Sequence, residues 1–340
     1  MTNRIRVAAL VAASILSVPV AAAEAQRSFA PAQSVLLGAP SRWDYVAVAG
    51  RRAYIAHGTQ VSVLSLDTRQ VVGRVVGLEG AHGVALDAEH GRGFVAEGDR
   101  GRLSVFALDS LAVTASAAVG PEPDTVVYDR SSDSVFVFDG ENETATVLDA
   151  GSLRVLATIE LGGTPEFAVA DGKGALFVNI KEQRAILRID TQARRIVAPI
   201  ALGDCVDPHG LALDPVRRLL FSSCANRTLA AVDLERGQVV DRVAIGASSD
   251  AVVYDAKRDT LFVSNGEGFV SVIRRGKDGR YRTVEDVRTR LTGRTMGVDP
   301  ATGALLVPSV GFEIDWTKRT AKFAEEGVRV LIFDRTRVRP

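Results

Sequence analysis

The stretch His209-Gly-Leu-Ala-Leu-Asp214 decides the fold, because variants of it recur along the chain. Each copy starts with a polar residue, continues as a short apolar run and usually ends in Asp. The copies start at Asp44, His82, Asp124, Glu166, His209, Asp250 and Arg294, which are 38, 42, 42, 43, 41 and 44 residues apart. A nearly constant step of this length is typical of a repeat architecture.

Each repeat contains four runs of β-forming residues. The second run is exemplified by Val135-Phe-Val-Phe138, the third by Val270-Ser-Val-Ile273, and the fourth ends in an apolar residue and Gly, as at Leu161-Gly162. Asp, Gly and Asn separate the runs, and no helical period is evident between the N-terminal segment and residue 310. Four strands in every ~40–45 residues predict an all-β fold, a seven-bladed β-propeller of four-stranded antiparallel blades.

The run Ser34-Val-Leu-Leu-Gly38 belongs to no complete repeat. The last repeat has strands near residues 295–299, 304–308 and 328–334 and lacks a fourth. We therefore predict that the N-terminal strand, about 34–38, completes the last blade. Closing the ring in this way removes the exposed sheet edges that favour aggregation.

Residues 1–25 have the pattern of a cleaved secretory signal. Arg4 and Arg6 precede an apolar segment, and Ala23-Glu24-Ala25 has the small residues of a cleavage site. The alternative, a membrane anchor, is disfavoured because Pro19 interrupts an apolar run shorter than the ~20 residues of a span. The sequence thus predicts a periplasmic or secreted protein, with residues 26–340 as a single propeller domain and no membrane span after signal removal.

The charge balance argues against a nucleic-acid partner. The chain has 41 Lys and Arg and 41 Asp and Glu, so its formal net charge is zero. Binding to nucleic acid depends on neutralising phosphates and usually requires a basic excess. The predicted partners are therefore a small molecule or a protein.

The two cysteines are predicted to form a disulfide. Cys205 precedes the first strand of the fifth repeat and Cys224 follows the second, so both lie at one end of a hairpin. A disulfide suits an oxidising compartment, and closing a loop of about 20 residues contributes roughly 3 kcal/mol. The alternatives are a reactive thiol or a metal pair, but the spacing does not match a zinc module.

Several lines of the repeat resemble a known family. Phe262-Val-Ser-Asn265 and Tyr54-Ile-Ala-His57 are each followed by a Val-Ser-Val strand, and Thr295–Gly303 reads Thr-x-x-Val-Asp-Pro-x-Thr-Gly. These lines are similar to the YVTN-type, YncE-like bacterial β-propellers. The resemblance covers essentially the whole mature chain and implies a periplasmic or extracytoplasmic propeller. Activities in that family are largely undefined, so the resemblance implies no specific function.

The leading residues of the repeats are the candidate binding residues. The first strand of a propeller blade lines the central channel, so the residue that begins it lies at one channel mouth. The candidate ligand-binding residues are Asp44, His82, Asp124, Glu166, His209, Asp250 and Arg294, with His57 added by a loop at the same end. The alternative is that these side chains only satisfy strand ends and one another.

A divalent cation is the candidate cofactor at this mouth. Imidazole and carboxylate together suit Zn, Mn, Fe, Ni or Cu, whereas Ca and Mg prefer oxygen ligands. His82 and His209 are three repeats apart and are predicted to face each other across the channel. The predicted metal ligands are His82, His209, Glu166 and Asp124. Arg294 is expected to pair with an acid or to bind an anionic substrate.

Two functions remain open from the sequence. The first is a non-enzymatic propeller that binds a small molecule, a metal ion or a protein partner at its mouth. The alternative is a metal-dependent hydrolase or lyase, similar to a lactonase, with Asp124 or Asp250 as base. No nucleophile elbow, phosphate loop or dinucleotide fingerprint favours another chemistry.

An insertion in the last repeat bears on the same mouth. Residues 310–327 lie between its second and third strands, where other repeats have only a few residues. Long loops in compact folds are often lids or binding loops. Phe312, Trp316 and Phe323 give this one an apolar surface. We predict that it covers the channel mouth rather than the outer wall.

Overall fold

The structure, a computed structural model, describes residues 28–30, 33–315 and 317–336. The predicted signal segment 1–25 and Trp316 lie outside these residues. The first half of the chain forms β1 (Gln33–Gly38), β2 (Val46–Ala49), β3 (Arg52–Ser65), β4 (Val71–Asp87), β5 (Arg92–Glu97), β6 (Arg102–Ala107), β7 (Val113–Ala118), β8 (Pro123–Asp129), β9 (Ser134–Asp139), β10 (Thr144–Asp149), β11 (Val155–Glu160), β12 (Pro165–Ala170), β13 (Ala175–Ile180) and β14 (Ala185–Asp190). The second half forms β15 (Arg195–Ala201), β16 (Pro208–Asp214), β17 (Leu219–Cys224), β18 (Thr228–Asp233), β19 (Gln238–Ala244), β20 (Ser249–Asp255), β21 (Thr260–Asn265), β22 (Phe269–Arg275), β23 (Tyr281–Arg288), β24 (Gly297–Val298), β25 (Leu305–Ser309), β26 (Phe312–Asp315), β27 (Thr320–Phe323) and β28 (Val328–Phe333). The helical element among the described residues is one 3-10 turn, Gly98–Arg100.

The strands form an antiparallel β-propeller with six blades around a central axis. Four blades are consecutive four-stranded sheets, β8–β11, β12–β15, β16–β19 and β20–β23, and a fifth has the order β1-β28-β25-β24. The sixth is a six-stranded sheet of β2–β7. The innermost strands neighbour one another in the order β2, β4, β8, β12, β16, β20 and β24, and β24 lies next to β2 again.

The division into six sheets differs from the predicted seven separate four-stranded blades. The predicted first and second blades form one continuous sheet because β3 and β4 are long strands of 14 and 17 residues. Gly58 of β3 pairs with Ala81 of β4, and Ala81 pairs in turn with Glu97 of β5. The hydrogen-bonded ladder therefore runs without a break from one predicted blade into the next.

The N-terminal strand closes the ring, as the sequence predicted. Strand β1 pairs antiparallel with β28, from Gln33 opposite Ile332 to Gly38 opposite Val328. Strand β28 pairs on its other side with β25. One sheet thus contains both ends of the described chain, which leaves no gap in the ring.

Aromatic side chains between the sheets form much of the core. Phenylalanines at one position of the repeat are fully buried on second strands: Phe94, Phe136, Phe177, Phe221 and Phe262. Burial of a side chain of this size stabilises the folded state by roughly 1.5–3 kcal/mol. These phenylalanine side chains pack neighbouring sheets against each other and thereby fix the propeller on which the mouth is built.

The two cysteines form the predicted disulfide. The Cα atoms of Cys205 and Cys224 are 5.3 Å apart, and both residues are fully buried. The bond joins the segment before β16 to the end of β17. Within the described residues, no helix has the length and apolar character needed to cross a membrane.

Candidate ligand site at the channel mouth

β-Bulges turn the leading residues of the repeats toward the channel. The pairing register of the inner strand shifts at the leading residue in β4, β8, β12, β16 and β20. A bulge leaves an extra residue unpaired and changes the direction of its side chain. The residues placed at these shifts are His82, Asp124, Glu166, His209 and Asp250.

The first group of mouth residues is Asp44, His82 and Asp124. The Nδ1 atom of His82 lies 2.5 Å from Oδ2 of Asp44 and 3.4 Å from Oδ1 of Asp124. One ligand atom from each residue lies within 4.8 Å of the other two. Oδ1 of Asp124 is buried and has no hydrogen-bond partner among the described residues. This group therefore has residue types that could hold a metal ion, although His82 and Asp44 are hydrogen-bonded directly to each other.

Arg42 closes the outer side of this group. Its Nη2 atom lies 3.2 Å from Nε2 of His82, and its Nη1 atom donates to both carboxylate oxygens of Asp99. A guanidinium only donates hydrogen bonds, so Nε2 of His82 accepts in this contact. In its neutral form His82 therefore carries its proton on Nδ1 and donates it to Asp44, whereas in its charged form both ring nitrogens carry protons and Nε2 no longer accepts from Arg42.

The charges of this group shift one another's pKa values. Burial, together with the negative charge of Asp44, raises the pKa of Asp124 to about 8, although His82 opposes the shift. Burial likewise raises the pKa of Asp44, against the hydrogen bond from His82. Burial lowers the pKa of His82, but the hydrogen bond to Asp44 and the two carboxylates outweigh it and raise the pKa overall. The Asp124 side chain keeps 36% of its surface accessible, although its Oδ1 atom is buried.

The second group of mouth residues is Glu166, Lys181 and His209. Lys181 Nζ forms an ion pair with Oε1 of Glu166, and His209 Nδ1 lies 3.4 Å from Oε2. The amide of Asn179, on the neighbouring sheet, donates to the backbone oxygen of His209 at 2.7 Å. The ammonium group of Lys181 already neutralises this carboxylate, so a metal ion here would compete with it.

Arg294 and Asp250 form a third pair at the mouth. The Nε atom of Arg294 donates to Oδ2 of Asp250 at 2.8 Å. The charge of Asp250 raises the pKa of Arg294, and the carboxylates of Asp44 and Glu166 add to this effect. These influences show that the three groups share one electrostatic environment.

Tyr45 and Phe167 form the floor of the mouth. Their ring centroids are 4.6 Å apart, and the Tyr45 hydroxyl lies 2.5 Å from Oγ1 of Thr125. Phe167 is on β12, three inner strands away from β2, so the contact spans the axis. Burial and the nearby carboxylates of Asp124 and Asp44 raise the pKa of the Tyr45 hydroxyl, which is therefore neutral. The polar residues surround a cup rather than an open tunnel.

The insertion in the last repeat forms a hairpin at the edge of this cup. Strands β26 and β27 pair with each other, and the Phe323 ring packs edge-on against Trp43 at 5.5 Å. The side chain of Phe323 lines the same cavity as Asp44 and His82. The described residues of the insertion thus place Phe323 beside the first group, and its covering of the mouth stays a prediction.

The structure does not bring all the predicted residues together. His57 is fully buried, its Nε2 atom bonds to the Ser62 hydroxyl at 2.7 Å, and burial lowers its pKa to about 4. None of its described contacts reaches the mouth residues. The predicted metal set also divides: His82 and Asp124 are in the first group, whereas His209 and Glu166 are in the second.

Neither the aromatic floor nor the position of Arg42 at the mouth was predicted from the sequence. The residue after each leading residue is small in five repeats but is Tyr45 in the first and Phe167 in the fourth. Where it is Gly83, a Cβ atom would lie 2.3 Å from the backbone oxygen of Asp124, so small residues allow the inner strands to approach. Two aromatic side chains at a position that is small in the other repeats were a sequence pattern that indicated the floor. No pattern in the sequence pointed to Arg42.

Comparison with known proteins supports the fold. No protein-family model matches the chain, and no curated protein matches its sequence. Among solved structures, hydrazine synthase from Kuenenia stuttgartiensis is similar, with a TM-score of 0.71 over 89% of this chain and 97% of that chain. The two sequences are 14% identical. At this identity the likeness shows a shared β-propeller fold and carries no activity with it.

Proposed function

We propose that this protein is an exported, non-enzymatic β-propeller that binds a divalent metal ion and a small molecule at its channel mouth. The metal ligands in this proposal are Asp44, His82 and Asp124. One observation carries it: Oδ1 of Asp124 is buried without a hydrogen-bond partner, 3.4 Å from His82 Nδ1. Buried polar atoms in native proteins are almost always satisfied, so an unsatisfied carboxylate oxygen beside other potential ligands favours this place for a cation.

Electrostatics support the same proposal. Two carboxylates on one imidazole are a crowded set: burial raises the pKa of both carboxyls, and the negative charge of Asp44 adds to the rise at Asp124. A divalent cation between them would remove the repulsion and satisfy the free oxygen. One imidazole and two carboxylates suit Zn, Mn, Fe, Ni or Cu. Three protein ligands leave coordination positions for water or for a bound molecule.

A second set of similar composition shows what a structural cluster looks like in this protein. Asp87, His90 and Asp133 also lie close enough to share an ion. The Arg92 guanidinium, however, donates to both carboxylates, at 2.7 Å to Asp87 and 3.0 Å to Asp133. The charge is neutralised internally, so this set needs no cation. Among the described residues, no Arg or Lys side chain pairs with Asp124, whose basic neighbour is His82 at 3.4 Å.

The finer assignments of fold and location are part of the proposal. The repeat lines support membership of the YVTN-type, YncE-like propellers, and the seven inner strands support a division of the six-stranded sheet into two repeat units. The disulfide between Cys205 and Cys224 is consistent with a periplasmic or secreted protein.

Metal titration tests the proposal. The protein without residues 1–25, after dialysis against EDTA, is titrated with Zn²⁺ by calorimetry. We expect one ion per chain and a loss of affinity of about 100-fold in Asp124→Asn or His82→Gln, since each removes one of three ligands. The matched control is His90→Gln, which changes the other histidine cluster. His209→Gln tests the second group of mouth residues. We expect this variant to bind Zn²⁺ with the affinity of wild type, because only the first group holds the ion in this proposal. Absence of stoichiometric Zn²⁺, or equal affinity in all four variants, would exclude this site.

Metal-dependent hydrolysis is the second candidate, favoured by one feature of the same group. A carboxyl with a pKa of about 8 beside His82 titrates in the range where a general acid or base works best. Dihydrocoumarin, a simple aromatic lactone, is a suitable substrate probe. Hydrolysis that requires Zn²⁺ and disappears in Asp124→Asn would support catalysis. Stoichiometric metal without turnover would support binding alone.

A further inference from the structure

A cavity of about 490 Å³ opens beside the first mouth group. This volume is within the range of small-molecule sites, roughly 300–1,000 Å³. Its walls combine polar and aromatic side chains from the ring, the segment before β2 and the hairpin. The residues that line it are Ser41, Arg42, Trp43, Asp44, His82, Asp250, Arg294, Thr295 and Phe323.

Most polar groups around this cavity already have protein partners. The hydroxyls of Ser41 and Thr295 donate to the backbone oxygens of Ala324 and Asp44. Arg42 is held by Asp99 and His82. The carboxylates of Asp44 and Asp250 are paired with His82 and Arg294. A ligand therefore finds few free acceptors or donors on these walls.

Arg294 is the exception. Its backbone is fixed by the Ser264 hydroxyl, which donates to its carbonyl oxygen, and its Nε atom is bonded to Asp250. Its two Nη groups have no partner among the described residues, and 64% of the side chain is exposed. The guanidinium is thus held at one edge and free at the other. A free guanidinium edge matches the two oxygens of a carboxylate.

Aromatic side chains give the same cavity an apolar wall. Phe323 lies edge-on to Trp43 and packs against Phe312 at 5.4 Å, yet 47% of its surface remains exposed. The Ser41–Ala324 hydrogen bond fixes the end of the hairpin next to the ring. An apolar group placed against these rings would gain the free energy of their remaining exposed surface.

We propose that this cavity binds a small carboxylate that carries an apolar group of aromatic size. The carboxylate binds the Nη groups of Arg294, and the apolar group packs against Trp43 and Phe323. The inference deepens the proposed function, since it rests on the mouth being a ligand site and names the ligand class. It does not require the metal ion, because none of the three proposed metal ligands contacts the carboxylate in this arrangement.

Calorimetry with three probes tests the ligand class: 3-phenylpropionate, acetate and 3-phenylpropan-1-ol. We expect the first to bind and the others to bind at least about tenfold more weakly, because each lacks one of the two interactions. Arg294→Gln should weaken 3-phenylpropionate about tenfold or more, and Arg294→Lys, which keeps the charge without the planar fork, by less. Phe323→Ala should weaken 3-phenylpropionate about fivefold and leave acetate unchanged. Controls are Arg280→Gln and Val216→Ala, two exposed residues elsewhere.

Titrations in EDTA and in excess Zn²⁺ separate this inference from the metal proposal. Binding of 3-phenylpropionate in EDTA, lost in Arg294→Gln, supports the carboxylate site even if no metal binds. Stoichiometric Zn²⁺ with equal or no binding of the three probes would overturn the ligand class alone. A weak phenylpropionate signal that the Arg294 variants leave unchanged would also overturn it.

Discussion

Tyr45 and Phe167 meet across the central axis, with ring centroids 4.6 Å apart and an angle of 35° between the rings. Each follows a leading acidic residue, Asp44 and Glu166 respectively, so the floor lies directly beneath the polar mouth. The contact joins two parts of the ring that are three inner strands apart. It places an aromatic pair next to the polar residues of the mouth.

Phe167→Ala is expected to destabilise the protein by about 2–3 kcal/mol. Truncation of a fully buried Phe costs about 3–5 kcal/mol, and Phe167 is only partly buried. The measurement is urea unfolding monitored by circular dichroism. Tyr45→Phe is the matched variant: it keeps the ring and removes the hydroxyl contact with Thr125, so a loss of only about 1 kcal/mol is expected. Equal losses of stability in both variants would contradict a packing role for the two rings of the floor.

Much of the fold was predictable because the repeat is a local signal. Each copy carries its own strands and turns, so the steps between copies predict a propeller without knowledge of long-range contacts. Asp residues that recur at the ends of third strands also act locally: Asp149, Asp190 and Asp233 accept hydrogen bonds from backbone amides two or three residues ahead. The closing strand followed from the same count, because the last repeat lacked one strand.

The division of the mouth into groups was not predictable from the repeat. Equal spacing gives the angular position of each side chain but not its length, its rotamer or its nearest partner. His82 and His209 were expected to share an ion near the axis. Their partners come instead from adjacent or neighbouring strands, Asp44 and Asp124 for His82 and Glu166 for His209. The continuous ladder through Gly58 was hidden for the same reason, since it depends on pairing between repeats.

The stability of the metal-free protein should depend on pH through Asp124. Its pKa is raised from 3.8 to about 8 in the folded state, mainly by burial. Between pH 4 and pH 8 the folded protein therefore holds a proton that the unfolded chain has lost, so this group makes stability fall as pH rises. Asp124→Asn removes this titrating group. The free energy of unfolding of the variant minus that of wild type should therefore be larger at pH 8 than at pH 5. Urea unfolding in EDTA at the two pH values measures this.

Asp278→Asn is the control for that experiment. The hydrogen bond from Arg282 lowers the pKa of this exposed carboxyl, so it is ionised in folded and unfolded chains at both pH values. Its substitution should change stability equally at pH 5 and pH 8. A difference of the same sign and size in both variants would show that the effect is not specific to the mouth.

Two histidines should titrate far apart. Burial lowers the pKa of His57 to about 4, whereas the hydrogen bond to Asp44 and the negative charge of that carboxylate raise the pKa of His82 above 6.5 despite its burial. Proton NMR of the imidazole Hε1 resonances, assigned with His57→Gln and His82→Gln, measures both midpoints in metal-free protein. His57 should stay neutral down to about pH 5, and His82 should be charged at pH 6. A His82 midpoint below 6.5 would contradict the ion pairing described at the mouth.

Loss of the disulfide should destabilise the oxidised protein by about 3 kcal/mol, the estimate for a loop of this length. The bond joins residues 19 positions apart on either side of the β16–β17 hairpin. The Cys205→Ser/Cys224→Ser variant should therefore unfold at lower urea concentration than wild type. Addition of a reductant should lower the stability of wild type toward that of the variant and leave the variant unchanged. No difference between the two proteins in oxidising buffer would contradict this contribution.

Arg42→Ala should strengthen metal binding at the mouth by about tenfold. Arg42 donates to Nε2 of His82, which keeps the imidazole proton on Nδ1, the atom that faces Asp44 and Asp124. A metal ion on Nδ1 requires that proton to leave or move to Nε2, where it would face the guanidinium. Removal of Arg42 abolishes this conflict and one positive charge near the ion, an effect worth on the order of 1 kcal/mol or more at short range.

The comparison uses Zn²⁺ calorimetry on Arg42→Ala, Arg42→Gln and wild type at pH 6 and pH 8. Because Asp44, His82 and Asp124 all have raised pKa values, ligands must release protons, and the affinity of every protein should increase with pH. The gain from Arg42→Ala should be smaller at pH 6, because the charge of Arg42 lowers the pKa of His82 and its removal leaves more of the imidazole protonated at that pH. Arg280→Gln controls for the loss of a remote positive charge. If Arg42→Ala binds Zn²⁺ more weakly than wild type, Arg42 belongs to the ligand site and the assigned tautomer of His82 is wrong.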